Sequence, residues 1–212
     1  MAKEKEKKQL RSDFYIRRFH SILGIIPIGI FLCLHLTLNS AAIIGPEAWA
    51  AVIDGMRSMP FIIVAEISLI ALPILFHAIY GIYVVYVSDM HFLQYQYLNN
   101  WMYILQRVTA IITLIFVIYH VTFVRIMTET TMDVMAAMAN VLQTPLGFVL
   151  ELIGIWSAIY HFSNGLFTFF ITWGVLHGER IQKLFSLLTM MLCAALCLLS
   201  LIILIRIAMM PI

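Results

Sequence analysis

Apolar residues in this chain fall into long continuous runs, at about Phe19 to Leu38, Phe61 to Val87, Ile104 to Val124, Leu146 to Trp173 and Ile181 to Ala208. A helix rising ~1.5 Å per residue needs about 20 residues to cross the ~30 Å hydrocarbon core of a bilayer, so each run is long enough to span. Strands would show alternation, and a barrel of so few strands could not close in lipid. The pattern predicts an all-α integral membrane bundle of five transmembrane helices, a single membrane domain over residues 1–212. Composition agrees: 63% of residues are hydrophobic and 11% charged, with a mean hydropathy of +0.98, where soluble domains are roughly half apolar.

Charge adds an orientation. Lys3, Lys5, Lys7, Lys8, Arg11, Arg17 and Arg18 form a basic head over residues 1–18, Arg107 opens the third run, and Arg180 and Lys183 follow the fourth. Alternating crossings put all of these on one side, against Arg57, Arg125 and Arg206 on the other. The positive-inside rule then predicts a cytoplasmic N-terminus and a C-terminus outside. The head reads as a topology determinant and solvated tail. The first run is too long for the apolar region of a signal peptide and more spans follow it, so it is expected to be retained.

Four of the seven histidines lie inside the predicted spans: His35, His77, His120 and His161. An ionisable side chain at membrane depth is costly and marks a functional site. His35 and His120 each lie about 16 residues into an outward-running helix, near the outer face; His77 and His161 lie about 16 and 15 residues into inward-running ones, near the inner face. Two depth-matched pairs result, separated by roughly 15 to 18 Å along the membrane normal. Local sequence pairs them the same way. His35 and His120 precede Thr37 and Thr122 as His-x-Thr, whereas His77 and His161 precede Gly81 and Gly165 as His-x-x-x-Gly. A glycine one turn along the helix removes a side chain and lets a flat macrocycle approach the backbone.

Two imidazoles from opposing helices at one depth suit a haem iron ligated on both faces, and an apolar macrocycle suits a bundle interior. With both axial positions filled, electron transfer is favoured over oxygen chemistry. Zinc fits less well, since its sites gather several ligands at one level. A satisfied hydrogen-bonding role is the alternative for any single intramembrane histidine, and it has to be invoked four times over to explain both pairs.

The segments FYIRRFHSILGIIPIGIFLCLH, LPILFHAIYGIY, NNWMYILQRVTAIITLIFVIYH and IYHFSNGLFTFFITWG closely resemble the di-haem cytochrome b membrane-anchor subunits of succinate:menaquinone oxidoreductases (succinate dehydrogenases) from Gram-positive bacteria. The resemblance implies a five-helix anchor in the bacterial cell membrane that carries two haem b groups. It further implies a flavoprotein subunit and an iron–sulfur subunit on the cytoplasmic side, menaquinone as the electron acceptor, membrane lipid around the spans and no nucleic acid partner. By the same resemblance His77 and His161 ligate the inner haem iron, and His35 and His120 the outer one.

The chain has no glycine-rich dinucleotide fingerprint, and Cys33, Cys193 and Cys197 lack the clustered spacing of an iron–sulfur site, so substrate oxidation is expected on other subunits. Two carboxylates remain inside spans, Glu66 and Glu151, each about five residues from the outer end of its helix. Reducing a quinone takes protons, and a poorly solvated carboxyl exchanges them near neutral pH, so both are candidates for quinone protonation. Capping or bridging of helices is their structural alternative. Arg18, Ser21 and Arg107 at the inner ends are candidate donors to the anionic haem propionates, with headgroup anchoring as the competing role. His20, His91 and His177 are expected to be structural or solvated, and Tyr95 to Tyr103 to form an interfacial aromatic belt. Three other functions stay open at this level. One is a quinol:fumarate reductase subunit running the same sites in reverse; another is a proton-relay transporter, which would carry no stoichiometric haem; the third is a haem-stabilised structural anchor with no quinone site.

Overall fold

The structure, a computed structural model, describes residues 2–87 and 98–211, and every regular element among them is helical. Five helices are long and apolar enough to cross a membrane: Asp13–Ile44, Ile62–Tyr86, Asn100–Ile126, Pro145–Thr172 and Glu179–Ala208. They correspond to the five predicted runs. The helix that leads into the first span begins at Ala2. Its Lys, Glu and Gln content suits that conformation. His91 and the first residues of the aromatic belt, Tyr95 to Tyr97, lie outside the described residues.

Three of the spans contain a widened π-helical turn. Gly24–Gly29 surrounds Pro27, Glu66–Ala71 stands just before Pro73, and Thr122–Ile126 follows His120. Proline has no N–H and crowds the preceding turn, which a wider turn relieves, and such turns tend to occur where function requires an irregular backbone. The third span packs along the fourth and the fourth along the fifth, while the first touches the second and the fourth. Glycines allow the closest approaches. A Cβ at Gly154 would fall 2.1 Å from the Phe116 ring, and one at Gly29 would fall 2.3 Å from Phe162. The outward faces carry exposed Leu34, Ile79, Ile115, Ile153 and Leu198, as hydrocarbon surroundings require.

The two ends of the bundle differ. The end bearing the N-terminal basic residues also holds the turn from the fourth span to the fifth, where Trp173 Nε1 donates to Ser21 Oγ at 3.1 Å. The opposite end is capped by two short helices, Pro46–Arg57 and Thr131–Leu142, which hydropathy runs alone do not reveal. Trp49, Met138, Leu142 and Ile207 form a closely packed core there with Ala42 and Leu204. The first short helix has Pro46 at its start, Glu47 in its first turn and Arg57 in its last, matching the helix dipole. The second begins with a reciprocal cap: Asp133 N–H donates to Thr130 Oγ1 at 3.2 Å and Thr130 N–H donates to Asp133 Oδ2 at 2.8 Å. Arg57 Nη2 donates to the Glu129 carbonyl at 2.6 Å and Thr131 Oγ1 donates to Asp54, tying the two short helices together.

Candidate functional site

The four intramembrane histidines meet in two pairs. His77 and His161 lie toward the basic end with ring centroids 6.2 Å apart and planes crossed at 84°; His35 and His120 lie toward the capped end at 6.0 Å and 89°. The first pair joins the second span to the fourth, and the second joins the first span to the third.

At the basic end both imidazole rings are oriented by main chain. His77 Nδ1 is 3.0 Å from the His20 carbonyl and His161 Nδ1 is 3.0 Å from the Gln106 carbonyl. A carbonyl only accepts, so each Nδ1 carries the proton and each Nε2 keeps a free lone pair. Gln106 grips the fourth span a second time. Its Nε2 donates to the His161 carbonyl at 2.9 Å, and its Oε1 accepts from Asn164 Nδ2 at 2.8 Å. Asn164 is buried at 1% exposure; its Nδ2 also donates to the Met102 carbonyl at 3.3 Å, while its Oδ1 has no hydrogen-bond partner. His20, expected to be structural or solvated, stacks on His77 with centroids 4.0 Å apart and planes within 6°. Gly24 makes room for the same ring: a Cβ there would fall 2.5 Å from His77 Cε1. Gly81 and Gly165 are less confined, since a Cβ would meet His20 Nε2 at 3.5 Å and Gln106 Nε2 at 3.3 Å respectively.

Arg18, Ser21 and Trp173 group at this end. The Arg18 guanidinium carbon is 4.7 Å from the Trp173 ring centroid, and its Nη1 is buried with no hydrogen-bond partner. Arg107 is drawn back onto its own helix, with Nη1 donating to the Tyr103 carbonyl at 3.0 Å and its guanidinium over the Tyr103 ring.

At the capped end side chains surround the pair. Asn39 Nδ2 donates to the His35 carbonyl at 2.8 Å and lies 3.4 Å from His35 Nε2, while its Oδ1 accepts from Trp49 Nε1 at 3.0 Å. A metal held by His35 Nε2 would replace the longer of these contacts. His120 Nδ1 faces Glu151 Oε2 at 3.8 Å, and Glu151 is 1% exposed. The structure separates the two carboxylates that depth alone groups together. Glu66 pairs with Arg125, whose Nε and Nη2 reach its carboxylate at 3.1 and 2.9 Å, and these side chains are 32% and 42% exposed. Both members of that pair lie in π-helical turns.

The pairs fit a haem iron. A first-row metal–imidazole bond is about 2 Å, so two bonds and two ring radii span about 6 Å, the separation of each pair. No group of three or more His, Cys, Asp or Glu side chains able to hold a metal occurs among the described residues. Two-ligand sites suit a macrocycle that fills the other four positions itself. The buried, unpartnered Arg18 Nη1 also suits an anionic substituent of that macrocycle.

Residues 89–202 match the family described as succinate dehydrogenase/fumarate reductase transmembrane subunit. The chain is also 43% identical over 185 residues to the succinate dehydrogenase cytochrome b558 subunit of Bacillus subtilis (strain 168), an alignment covering 87% of this chain and 92% of that one. With five membrane-length helices and these two likenesses, the chain is a multi-pass membrane protein that belongs to the succinate dehydrogenase/fumarate reductase transmembrane subunit family.

Proposed function

We propose that this chain is the membrane-anchor cytochrome b subunit of a succinate dehydrogenase. It passes electrons from a flavoprotein subunit and an iron–sulfur subunit at the cytoplasmic surface, through two bis-histidine b haems, to menaquinone near the opposite face. The observation that carries this reading is the pair of histidine pairs, at 6.2 and 6.0 Å, set toward the two ends of one bundle. His77 and His161 hold the iron nearer the basic end, and His35 and His120 the one nearer the capped end. Each bound haem supplies a reversible one-electron carrier.

The chain's own residues orient and enclose. Main-chain carbonyls of His20 and Gln106 keep Nε2 of the inner ligands free. Arg18 offers its unpartnered Nη1 to a propionate, while Ser21, whose hydroxyl donates to the Arg18 carbonyl at 2.8 Å, and Arg107, held on Tyr103, would have to exchange those contacts first. Gly81 and Gly165 leave bare backbone one turn from their ligands. The basic end faces the cytoplasm, where the catalytic subunits dock and where succinate is oxidised.

Menaquinone reduction takes protons at the capped end. Glu66, partly exposed and gripped by Arg125, is our candidate for that proton route, and Glu151 is enclosed beside His120. Two electrons moving outward across the membrane gain roughly 2.3 kcal/mol per charge per 100 mV, about 4.6 kcal/mol together. Collapsing the potential in vesicles should therefore slow succinate-driven menaquinone reduction.

The direct test is a reduced-minus-oxidised spectrum of the purified complex with haem extracted and counted. Two low-spin b haems per chain are expected. A well-folded complex with none would overturn the proposal.

A further inference from the structure

The environments of the two histidine pairs differ in one respect that the proposed relay leaves unused. At the basic end the Nδ1 sides of both ligands face neutral main-chain carbonyls at 3.0 Å. At the capped end the Nδ1 side of His120 faces a carboxylate.

Glu151 is 1% exposed, and neither of its oxygens has a hydrogen-bond partner. His120 Nδ1 is likewise buried and unpartnered. These groups stand 3.8 Å apart, and a rotamer adjustment of about 1 Å brings them to ordinary hydrogen-bond distance. Leaving a carboxylate and a ring N–H apart in the interior strands two polar groups, while joining them pairs the N–H with one carboxylate oxygen. The fourth span fixes the carboxylate in place. Glu151 lies one turn before Gly154, whose missing side chain lets the third span approach so closely that a Cβ would fall 2.1 Å from Phe116. Phe116 in turn packs on the His120 ring at 5.2 Å between centroids.

We infer that Glu151 is a positioning residue for the His120 ligand, its carboxylate accepting the Nδ1 proton and thereby making the haem that His120 would ligate harder to reduce than it would be without that carboxylate. The inference rests on the bis-histidine assignment proposed above. An imidazole that donates to a carboxylate is a more basic ligand than one that donates to an amide carbonyl. A more basic axial ligand favours the oxidised iron, and hydrogen bonding around the ligands is one of the levers that set a haem potential. Burial strengthens the effect, because a low-dielectric interior screens it poorly. Glu151 then differs in kind from Glu66: one acts on an iron ligand and the other on the quinone's proton supply.

The experiment is a redox titration of the assembled complex, following each haem optically, for the unsubstituted protein, Glu151→Gln, Glu151→Asp and Glu66→Gln. In Glu151→Gln the reduced-to-oxidised ratio of the capped-end haem at fixed poise should rise about tenfold, which is about 59 mV for a one-electron couple. The basic-end haem should titrate as before. Glu151→Asp keeps the carboxylate and should return the capped-end haem most of the way, and Glu66→Gln should leave both haems in place. A Glu151→Gln complex with two haems and unmoved potentials overturns the inference, as does an aspartate variant shifted as far as the glutamine one. Loss of haem from the unsubstituted complex would instead remove the bis-histidine assignment itself. Should Glu151→Gln lose the capped-end haem, redox-difference infrared spectra of the unsubstituted complex decide: a carboxylate stretch moving in step with that haem is expected, and its absence overturns the inference.

Discussion

At the basic end of the bundle, His77 and His161 are oriented by the carbonyls of His20 and Gln106, and the His77 ring is flanked by the His20 ring and bare Gly24. At the capped end, His35 and His120 are approached instead by the side chains of Asn39 and Glu151. The separations are almost the same, 6.2 and 6.0 Å. Equal geometry reached by different means has a consequence for tuning. A main-chain acceptor survives substitution of its side chain, so the histidines at the basic end depend on helix packing, whereas those at the capped end answer to the identity of two neighbours.

Removing a ligand tests the comparison most severely. His77→Ala or His161→Ala should abolish the basic-end haem, and His35→Ala or His120→Ala the capped-end haem. Extracted haem should fall from two per chain to one, with a different spectral component lost in each set.

Packing comes next. Gly24→Val places branched carbon where Gly24 now faces His77 Cε1, at 2.5 Å from the Cβ position. Overpacking of this kind costs about 1–3 kcal/mol, and the ring has little room to give. Loss of the basic-end haem with retention of the other is the expected spectrum. Retention of both with unchanged melting would show that His77 does not depend on this contact.

Gln106→Leu is milder, because the carbonyl that accepts from His161 remains. It removes the donor to the His161 carbonyl and the nearer of two acceptors of the buried Asn164 Nδ2, leaving only the Met102 carbonyl at 3.3 Å, at about 1–3 kcal/mol. Thermal release of the basic-end haem should come at lower temperature while the capped-end haem is released as before.

The smallest effect concerns the cap itself. Hydrogen bonds from the Thr130 main chain and side chain hold Asp133 below its ordinary value of 3.8. A depressed carboxyl contributes stability that is complete above its unfolded value and is lost as pH falls through the lower folded one. Hydrogen exchange over Thr131–Leu142, relative to the intrinsic rate of an unfolded amide at the same pH, should therefore quicken as pH drops below about 4. In Thr130→Ala it should be faster at neutral pH and less sensitive to that drop, with the basic end unaffected in both.

Much of this plan was legible in the residues. Hydropathy reported the five spans because lipid tolerates only helices whose backbone is internally bonded. Alternating crossings then sorted four histidines by depth, and the pairs follow from counting. Thr130-x-x-Asp133 is a capping signature that was available to find the second short helix, and Pro46 with Glu47 pointed to the first. Nothing local marked His20, Gly24 or Gln106, whose contacts run to residues 53 or more positions away.

Depth along the membrane, and with it the pairing of His35 with His120 and of His77 with His161, is a one-dimensional property that chain order and hydropathy determine. The azimuth of each side chain around its helix is not, because it depends on how spans approach and where a glycine or π-helical turn lets them. That is why Glu66 and Glu151, equal in depth, part company in the fold: packing turns Glu66 toward Arg125 at the surface and Glu151 inward onto His120.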